Sequence, residues 1–347
     1  MKKIYINGRF LNKDVVGGVK RFAIFVAREL LLNEPDRYAV VCPKDADETL
    51  LGMDAEIHKT GRLSGLKWEM FELPLFMMTH RGRLFSPCNI APWIFSDYIV
   101  IHDVVIDKKS IGLELNKWEN KCFNRMNTIM RHAARHARLV LTVSEFSKSR
   151  ISAVYGVPED KIKVIYSGWD HFAGTEADSS VRDENEGDYF LSVSSLMSNK
   201  NFAYMEKLAE LLPNEKFYVI GKPLDYAAEN RYPNMRYLGE LSDARMAYYY
   251  KHCKAYISPS LYEGFGVTPL EALSFGCRRL YLSDIPVFHE IYDGVANFFD
   301  PRDPQSFVST YGSGKNAPDA ACEEMLASYT WANTAKAVRE ALSSDRK

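Results

Sequence analysis

The stretch AYISPSLYEGFGVTPLEALSFG, residues 255–276, indicates the type of fold. Apolar residues typical of a strand come first, two glycines follow at 264 and 266, and the apolar residues after them are spaced as in a helix. A strand, a loop and a helix make up the repeating unit of α/β proteins. Two glutamates, Glu263 and Glu271, stand on either side of the glycines.

The residues around the glycines favour a ligand that carries both phosphates and hydroxyls. Gly264 and Gly266 allow the backbone to approach a ligand closely, and the helix that follows presents its positive end to anions. An ionised glutamate only accepts hydrogen bonds, which suits the hydroxyls of a sugar or a ribose. A nucleotide-sugar would place its diphosphate on the backbone amides and its hydroxyls on the carboxylates.

Glu271 also has a purely structural interpretation. With Thr268 as the N-cap and Pro269 at the first helical position, Glu271 would stand at the third position and complete a capping box. This interpretation explains neither Glu263 nor the glycines. Both alternatives therefore stay open for Glu271.

Strand and helix patterns alternate along the rest of the chain. YAVVCP (38–43), DYIVIHDVVI (97–106) and RLVLTVSE (138–145) are typical of buried strands, and helical patterns such as VKRFAIFVARELL (19–31) and SEFSKSRISAVYG (144–156) separate them. This alternation predicts parallel sheets with helices on both faces.

A polar, acidic segment divides the pattern into two parts. AGTEADSSVRDENEGD (173–188) has the composition of a linker or exposed loop, and the α/β alternation restarts after it. The length of 347 residues also favours two domains. We expect an N-terminal Rossmann-like domain over 1–172, a C-terminal one over 189–328, and a last helix over 329–347 that returns to the first domain. A cleft between two such domains would hold the ligand.

The charge distribution limits the classes of partner. The formal net charge is −1, which argues against a nucleic-acid binder. Residues 1–170 contain 26 Lys and Arg against 20 Asp and Glu, so that the first half is mildly basic. This excess suits an anionic surface or a phosphate-bearing substrate, and two domains with different solvated faces would explain it equally well.

The cysteines and the N-terminus are typical of a cytoplasmic protein. The six cysteines lack metal-site spacing and are expected to be reduced. MKKIYINGRF has no apolar signal-peptide core, and no apolar run is long enough to span a membrane. Asp45 and Asp47 form an Asp-x-Asp pair in a charged, surface-like segment, so we expect no metal site there.

SPSLYEGFGVTPLEALSFG (258–276) resembles the Glu-x7-Glu signature of the retaining glycosyltransferases of family 4, which have the GT-B fold. The resemblance covers nearly the whole chain, because further fragments follow in the order typical of the family. These are GGVKRF (17–22), KWEMFELP (67–74), SPCN (86–89), IHD (101–103), TVSEFSKSRI (142–151), NKN (199–201), YLGELSD (237–243) and YTWANTA (329–335). The implied fold is α/β: two Rossmann-like domains with a cleft between them.

The resemblance implies a role for individual residues. Glu263 matches the glutamate near the donor sugar and its leaving phosphate, and Glu271 matches the one that binds the ribose hydroxyls. Lys200 matches the base that neutralises the diphosphate, with a solvated loop lysine as the alternative. Donor contacts are further implied for Gly17, Gly18, Arg21, Ser195, Gly264, Phe265, Gly266, Val267 and Thr268.

Structural alternatives also exist for the first glycine pair, for Arg21 and for His102, which the resemblance adds to the site. Gly17 and Gly18 match a loop that closes over the diphosphate, although a simple turn before a helix would also explain them. Arg21 lies on the helix that follows and is as easily a surface residue. His102 matches a histidine that contacts the donor sugar, whereas a lone histidine in an apolar run is more often a satisfied core residue.

Two departures from the family pattern stand out. An arginine is common at the position of Ser195, so that one positive charge on the diphosphate is missing. The segment after the signature helix reads Gly276-Cys277-Arg278-Arg279 in place of Gly-x-Pro-Val. The two arginines either alter the packing of the second domain or supply the missing charge.

The reaction implied is transfer of a sugar from a nucleotide-diphosphate sugar to an acceptor hydroxyl with retention of the anomeric configuration and no obligatory metal. The acceptor would be a glycan or a polyprenyl-diphosphate-linked glycan of bacterial surface polysaccharide, reached from the cytoplasmic side of the inner membrane. RMNTIMRHAARHAR (125–138) is one candidate for membrane contact, and an amphipathic helix packed on the sheet is the alternative. A silent nucleotide-sugar-binding subunit and an epimerase or hydrolase are the competing functions. The base, the sugar and the linkage stay open.

Overall fold

The structure, a computed structural model, describes residues 2–15, 17–104, 117–183, 186–194, 198–221 and 232–344. Residue contacts divide the chain into two compact units. Of the described residues, the first unit contains those up to Gly168 and again those from Thr330, and the second contains those from Trp169 to Tyr329. Each unit is built on one parallel sheet, so that the α/β class predicted from the sequence is confirmed.

The first unit contains a sheet of seven strands in the order β3-β2-β1-β4-β5-β6-β7. The strands are β1 (Lys3–Asn7), β2 (Tyr38–Pro43), β3 (Ile57–Thr60), β4 (Gly82–Ser86), β5 (Tyr98–Val100), β6 (Leu139–Thr142) and β7 (Ile162–Val164). The described helices are α1 (Gly17–Asn33), α2 (Gly65–Lys67), a π-helical turn (Trp68–Glu72), α3 (Leu73–Thr79), α4 (Lys117–His136), α5 (Glu145–Tyr155) and α12 (Trp331–Ser344).

The second unit contains a sheet of six strands in the order β10-β9-β8-β11-β12-β13. The strands are β8 (Tyr189–Val193), β9 (Lys216–Ile220), β10 (Met235–Gly239), β11 (Ala255–Ser258), β12 (Leu280–Ser283) and β13 (Ala296–Phe299). The described helices are α6 (Phe202–Leu211), α7 (Asp243–His252), α8 (Thr268–Ser274), α9 (Pro286–Tyr292), α10 (Pro304–Ser313) and α11 (Asp319–Ser328). Asp170–Phe172 and Ser198–Lys200 are short 3₁₀ helices.

Strand burial follows position in the sheet. The central strands β2, β11 and β12 are buried at every residue, because helices cover both of their faces. The edge strands β3 and β7 are only partly buried. The predicted strand over 97–106 was too long: β5 ends at Val100, since the amide of His102 donates to the Asn89 side chain (2.8 Å) rather than to a strand.

The last helix completes the first unit. Trp331 at its start is buried, and its indole stacks on Phe25 of α1 with ring centroids 5.4 Å apart. Gly168 packs so closely that an added Cβ would lie 2.4 Å from the Trp331 amide nitrogen. Within the second unit, the Trp169 amide donates to the Tyr329 carbonyl (3.2 Å), so that the two ends of this unit lie side by side.

Candidate functional site

The loop between β11 and α8 is held in a backbone conformation that requires glycine. Gly266 has φ +80°, in the left-handed region, and a Cβ at this position would lie 2.5 Å from Cε1 of Phe288. The Tyr292 hydroxyl of α9 donates to the Gly266 carbonyl. The sequence therefore needs glycine here both for the turn and for the close approach to α9.

Glu263 is joined to Lys200 at the carboxyl end of the sheet. The ammonium Nζ of Lys200 lies 2.6 Å from Oε1 of Glu263, and the Ser260 hydroxyl donates to the same oxygen (2.7 Å). The side chain of Lys200 is 24% exposed and that of Glu263 is 13% exposed, so both members of the ion pair are partly exposed. Two residues predicted from distant parts of the sequence thus meet at one point.

Backbone contacts fix the segment that carries Lys200. The Leu261 amide donates to the Asn199 carbonyl (2.8 Å), and the Asn199 side chain donates to the Tyr262 carbonyl (3.3 Å). Asn201 has φ +55°, which turns the chain from the 3₁₀ helix into α6. The distance between Lys200 and Glu263 is therefore set by main-chain geometry as well as by charge.

An open groove lies beside this ion pair in the second unit. Its volume is about 550 Å³, which is enough for a sugar-sized ligand. Its lining includes Asn201, which follows Lys200 in sequence, and two bases; the residues are Asn201, Ala203, Tyr204, Lys207, Leu261, Pro301, Arg302 and Pro304.

Glu271 is buried, with only 1% of its surface exposed. The Tyr250 hydroxyl donates to its Oε2 (2.7 Å), and Nε2 of His171 lies 3.0 Å from its Oε1. The predicted capping box is wrong. Helix α8 already begins at Thr268, and the Thr268 hydroxyl accepts a hydrogen bond from Tyr256 (2.7 Å) instead of capping the helix. Glu271 faces Tyr250 and His171, not the start of its own helix.

Three buried tyrosines from three elements bind this segment, and sequence analysis did not single them out. They are Tyr250 of α7, Tyr256 of β11 and Tyr292 of α9. Burial raises the pKa of both Tyr256 and Tyr292, so that their hydroxyls stay protonated and donate. The cluster AYYYKHC around Tyr250 was a visible signal, but nothing in it names Glu271 as the partner.

The other predicted loop residues have packing roles of different kinds. Phe265 is buried and its ring meets that of Tyr329 edge-on, with centroids 5.4 Å apart. Gly264 and Val267 are partly buried. Val267 has helical φ and ψ angles and precedes α8 directly.

In the first unit, Gly17 and Gly18 form the start of α1. Gly17 has φ +73°, and a Cβ at either glycine would meet no atom within 4 Å. This open space shows that the glycines are not required by packing, and the positive φ requires glycine at position 17 for the backbone alone. Arg21 lies one turn further along α1 and is partly buried.

His102 lies just beyond β5, at the carboxyl end of the first sheet. Its Nε2 is 3.1 Å from the Pro87 carbonyl, and its ring meets Phe22 edge-on with centroids 4.5 Å apart. A carbonyl only accepts, so Nε2 carries the proton in the neutral ring and Nδ1 keeps its lone pair. Burial lowers the pKa of His102 to about 4, although the hydrogen bond to Pro87 opposes the shift. The ring is therefore neutral at pH 7.

The two arginines that depart from the family pattern serve packing. Arg278 pairs with Asp319 of α11 (2.7 Å) and donates to the Leu273 carbonyl (2.9 Å) at the C-terminal end of α8. Arg279 donates to the Asn316 side chain (3.1 Å). These contacts lie at the end of α8 opposite the glycine loop. Ser195 falls outside the described residues.

The Asp-x-Asp pair also has a local explanation. Asp47 caps the short 3₁₀ helix Glu48–Leu51 and accepts from the amide and the hydroxyl of Thr49 (3.1 and 2.5 Å). Among the described residues, no group of three His, Cys, Asp or Glu side chains is arranged to hold a metal ion. No described helix is long and apolar enough to cross a membrane.

Comparisons with known proteins relate the chain to glycosyltransferases. Residues 175–310 match the family described as "Glycosyl transferases group 1", and residues 102–171 match "Glycosyltransferase Family 4". The O-antigen chain mannosyltransferase RfbU of Salmonella typhimurium is 26% identical over 297 residues, which cover 82% of this chain and 78% of that protein.

Solved structures share the fold along the whole chain. Anabaena HepE, solved with UDP and glucose, superposes with a TM-score of 0.68 at 17% identity and covers 99% of this chain and 100% of its own. Sucrose-phosphate synthase of Thermosynechococcus elongatus gives a TM-score of 0.74 at 11% identity, with 99% of each chain covered. At these identities the likeness concerns the fold alone.

Proposed function

This chain belongs to the family 4 glycosyltransferases with the GT-B fold, and from that premise we propose that it is a retaining enzyme that uses a nucleotide-diphosphate sugar. The acceptor is a hydroxyl of a glycan or of a lipid-linked glycan, in the synthesis of bacterial surface polysaccharide. The similarity to an O-antigen mannosyltransferase supports this acceptor class. The observation that carries the proposal is the ion pair between Lys200 and Glu263 at the glycine loop.

Lys200 has the position and charge to neutralise the leaving diphosphate. In this structure its ammonium is paired with Glu263, and a diphosphate carries more negative charge than one carboxylate. We propose that donor binding draws Lys200 to the phosphate oxygens. Glu263, which is still hydrogen-bonded to Ser260, then accepts a hydrogen bond from a hydroxyl of the donor sugar.

His102 would act as a neutral hydrogen-bond acceptor rather than as a base of high pKa. Its Nε2–H is engaged by the Pro87 carbonyl, so that Nδ1 is the atom left to accept from a sugar hydroxyl. Its low pKa keeps a positive charge away from the anomeric carbon, where positive charge develops in the transition state.

The transfer itself is proposed to take place on one face of the sugar. The bond between the anomeric carbon and the leaving phosphate oxygen breaks, the acceptor oxygen bonds to that carbon from the same side, and the acceptor proton passes to the departing phosphate. Retention follows because both bonds share one face. Lys200, the backbone amides near Gly17 and Gly18 and the N-terminal end of α8 share the stabilisation of the charge on the phosphate, so no metal is required in this proposal.

The test is sugar transfer with a panel of nucleotide-sugars, including a mannose donor, and a lipid-linked glycan acceptor from bacterial membranes. We expect one donor to be used, the product to keep the anomeric configuration by NMR, and a chelator to leave the rate unchanged. Lys200→Gln should lower kcat/KM by about 100-fold or more. Lys251→Gln, which changes an exposed lysine in the last turn of α7, is the matched control and should keep full activity. Equal rates for the two variants, or an inverted product, would contradict the proposal.

A further inference from the structure

The helical segment before β4 is apolar on two sides, and the fold uses only one of them. Trp68, Leu73 and Met77 are buried in the core of the first unit. On the outer side, Phe71, Leu75 and Met78 are 66%, 61% and 66% exposed. Their spacing of four and three residues places them in one row along the helix. A row of large apolar side chains facing water is rare on a soluble protein and marks an interaction site.

A second exposed apolar group lies in the loop between β4 and β5. Trp93, Ile94 and Phe95 are 58%, 56% and 36% exposed. The Trp93 ring packs beside the imidazole of His132 on α4, with centroids 5.0 Å apart. Phe95 has φ +65°, a conformation that is strained for a bulky residue. The loop is thus held with its apolar side chains outward at a cost in backbone energy.

Both groups lie on the same side of the first sheet. The core under α3 contains Leu84, and the core under α4 contains Ile99. Strand register pairs Ser86 with Ile99, and Ser86 stands two residues after Leu84, so that Leu84 and Ile99 point to the same face. Helices α3 and α4 therefore cover one face of the sheet.

We call this exposed surface the apolar face. Two other large apolar side chains are exposed in the part of the chain that the structure describes, Leu32 and Leu211, and they are not part of the apolar face. Leu63 belongs to the surface because its amide is bound to the carboxylate of Glu72, next to Phe71. The apolar face consists of Leu63, Phe71, Leu75, Met78, Trp93, Ile94 and Phe95.

The charges around the apolar face are positive. Residues 73–96 and 121–144 contain no acidic residue. The two acids that border the first of these segments are engaged within the fold: Glu72 accepts from the amides of Arg62 and Leu63, and Asp97 pairs with Arg83 (2.6 Å). The bases exposed on α2, α4 and the turn before β4 are Lys67, Arg81, Lys121 and Arg125.

Two further arginines on α4 have a different role. Arg131 donates to the Val154 carbonyl (2.9 Å) and Arg135 to the Tyr155 carbonyl (2.6 Å), at the C-terminal end of α5. They satisfy helix carbonyls that would otherwise lack a donor. Both side chains are exposed and keep their positive charge, so the membrane contact considered for residues 125–138 stays a prediction.

We propose that the apolar face binds the surface of a bilayer that contains anionic lipids. Aromatic and aliphatic side chains bordered by lysine and arginine are the composition of interfacial segments, in which the apolar groups enter the headgroup region and the bases meet anionic headgroups. A protein partner would need complementary acids, whereas a lipid surface supplies negative charge over any area. This inference rests on the proposed function and extends it, because it names the surface that would hold the enzyme at the membrane where a lipid-linked acceptor lies.

The experiment is flotation of the full chain with vesicles, in the absence of any sugar donor. We expect binding to vesicles of phosphatidylethanolamine and phosphatidylglycerol, little binding to phosphatidylcholine alone, and release by salt. Phe71→Ser combined with Leu75→Ser and Met78→Ser should reduce binding more than about tenfold. Lys67→Gln and Arg81→Gln should each reduce it about fivefold. Leu32→Ser, at 62% exposure on α1, is the matched control and should bind as the unchanged chain does.

Several outcomes would overturn the proposal. Absence of vesicle binding, equal binding to neutral vesicles, or unchanged binding by the triple variant would each do so. A stable dimer in solution that the triple variant abolishes would assign the apolar face to a second copy of this chain instead. Because no donor is present, a negative result here is distinguishable from a failure of sugar transfer.

Discussion

The two signature glutamates differ in what surrounds them. Glu263 shares a partly exposed ion pair with Lys200, where a charged ligand can compete. Glu271 is buried between a tyrosine hydroxyl and an imidazole. A carboxylate buried in this way contributes to stability as well as to any ligand contact, because removing it would take a hydrogen-bond acceptor from Tyr250 and from His171. Replacing Glu271 by alanine would therefore confuse loss of binding with loss of fold.

Tyr250→Phe separates these effects at the residue scale. It removes one donor to a buried carboxylate while the ring stays in place. We expect the free energy of unfolding to fall by about 1.5–3 kcal/mol, the range for hydrogen bonds to charged groups. Tyr189→Phe, which loses a bond of 2.9 Å to the Tyr249 carbonyl, is the control and should cost about 1 kcal/mol. Equal losses in urea unfolding would show that the charge on Glu271 does not matter.

His102 should make stability depend on pH. Its folded pKa of about 4 lies below the ordinary value of 6.5, so the unfolded chain binds more protons between these values. Stability from this group is fully present above pH 6.5 and is lost as the pH falls toward 4. The full shift corresponds to about 2 kcal/mol between pH 7 and 5, and partial access of water reduces our expectation to about 1 kcal/mol.

The measurement is urea unfolding of the unchanged chain and of His102→Gln at several pH values. The difference in unfolding free energy between the two proteins should shrink as the pH falls from 7 to 5. A difference that stays constant over this range would mean that the ring titrates alike in both states.

At the scale of elements, sequence patterns located central strands better than edges. β2 and β11 are buried throughout because both faces are covered, and each was recognised. β3, β7 and β13 stand at sheet edges, are only partly buried and show no continuous apolar run, so they were not identified. A continuous apolar run reflects burial of the strand, and edge strands are less buried than central ones.

The candidate site could be predicted only in part for a similar reason. Spacing in the chain shows a glycine loop with two glutamates, but not which side chains meet them. His171 is 100 residues from Glu271 in sequence and follows no motif of its own. Tyr256 binds Thr268 from the preceding strand and thereby displaces the predicted cap. Contacts of this kind depend on tertiary packing, which one sequence does not contain.

Gly266→Ala tests the loop as an element. The substitution adds a strained positive φ and a contact of 2.5 Å with Phe288. Gly276→Ala, at φ +92° with no atom near its Cβ, adds strain alone and is the matched control. We expect thermal unfolding to show that the free energy of unfolding falls by about 1 kcal/mol in Gly276→Ala and by about 3 kcal/mol in Gly266→Ala. If the two variants are equally stable, α9 adapts and does not fix the loop.

At the scale of the whole molecule, the first unit depends on a helix that is remote in sequence. Trp331 of α12 is 4% exposed and packs on Phe22 and Phe25 of α1. Trp331→Ala should destabilise this unit by about 3–5 kcal/mol. Trp93→Ala is the control: it removes an indole that is 58% exposed, and it should lower the free energy of unfolding by less than about 0.5 kcal/mol.

Hydrogen exchange measured by mass spectrometry would locate the effect. For Trp331→Ala we expect faster exchange in α1 and little change in strands β8 to β13. Faster exchange spread evenly over both units would show that their stabilities cannot be separated.

The neighbouring ends of the second unit have a consequence for the order of events during synthesis. All of residues 169–329 leave the ribosome before α12 does, because α12 follows them in the chain. The second unit can therefore fold while the nascent first unit still exposes Phe22 and Phe25, the rings that Trp331 later covers. Although domains commonly fold in order from the N-terminus, here the unit that begins the chain is the one completed last.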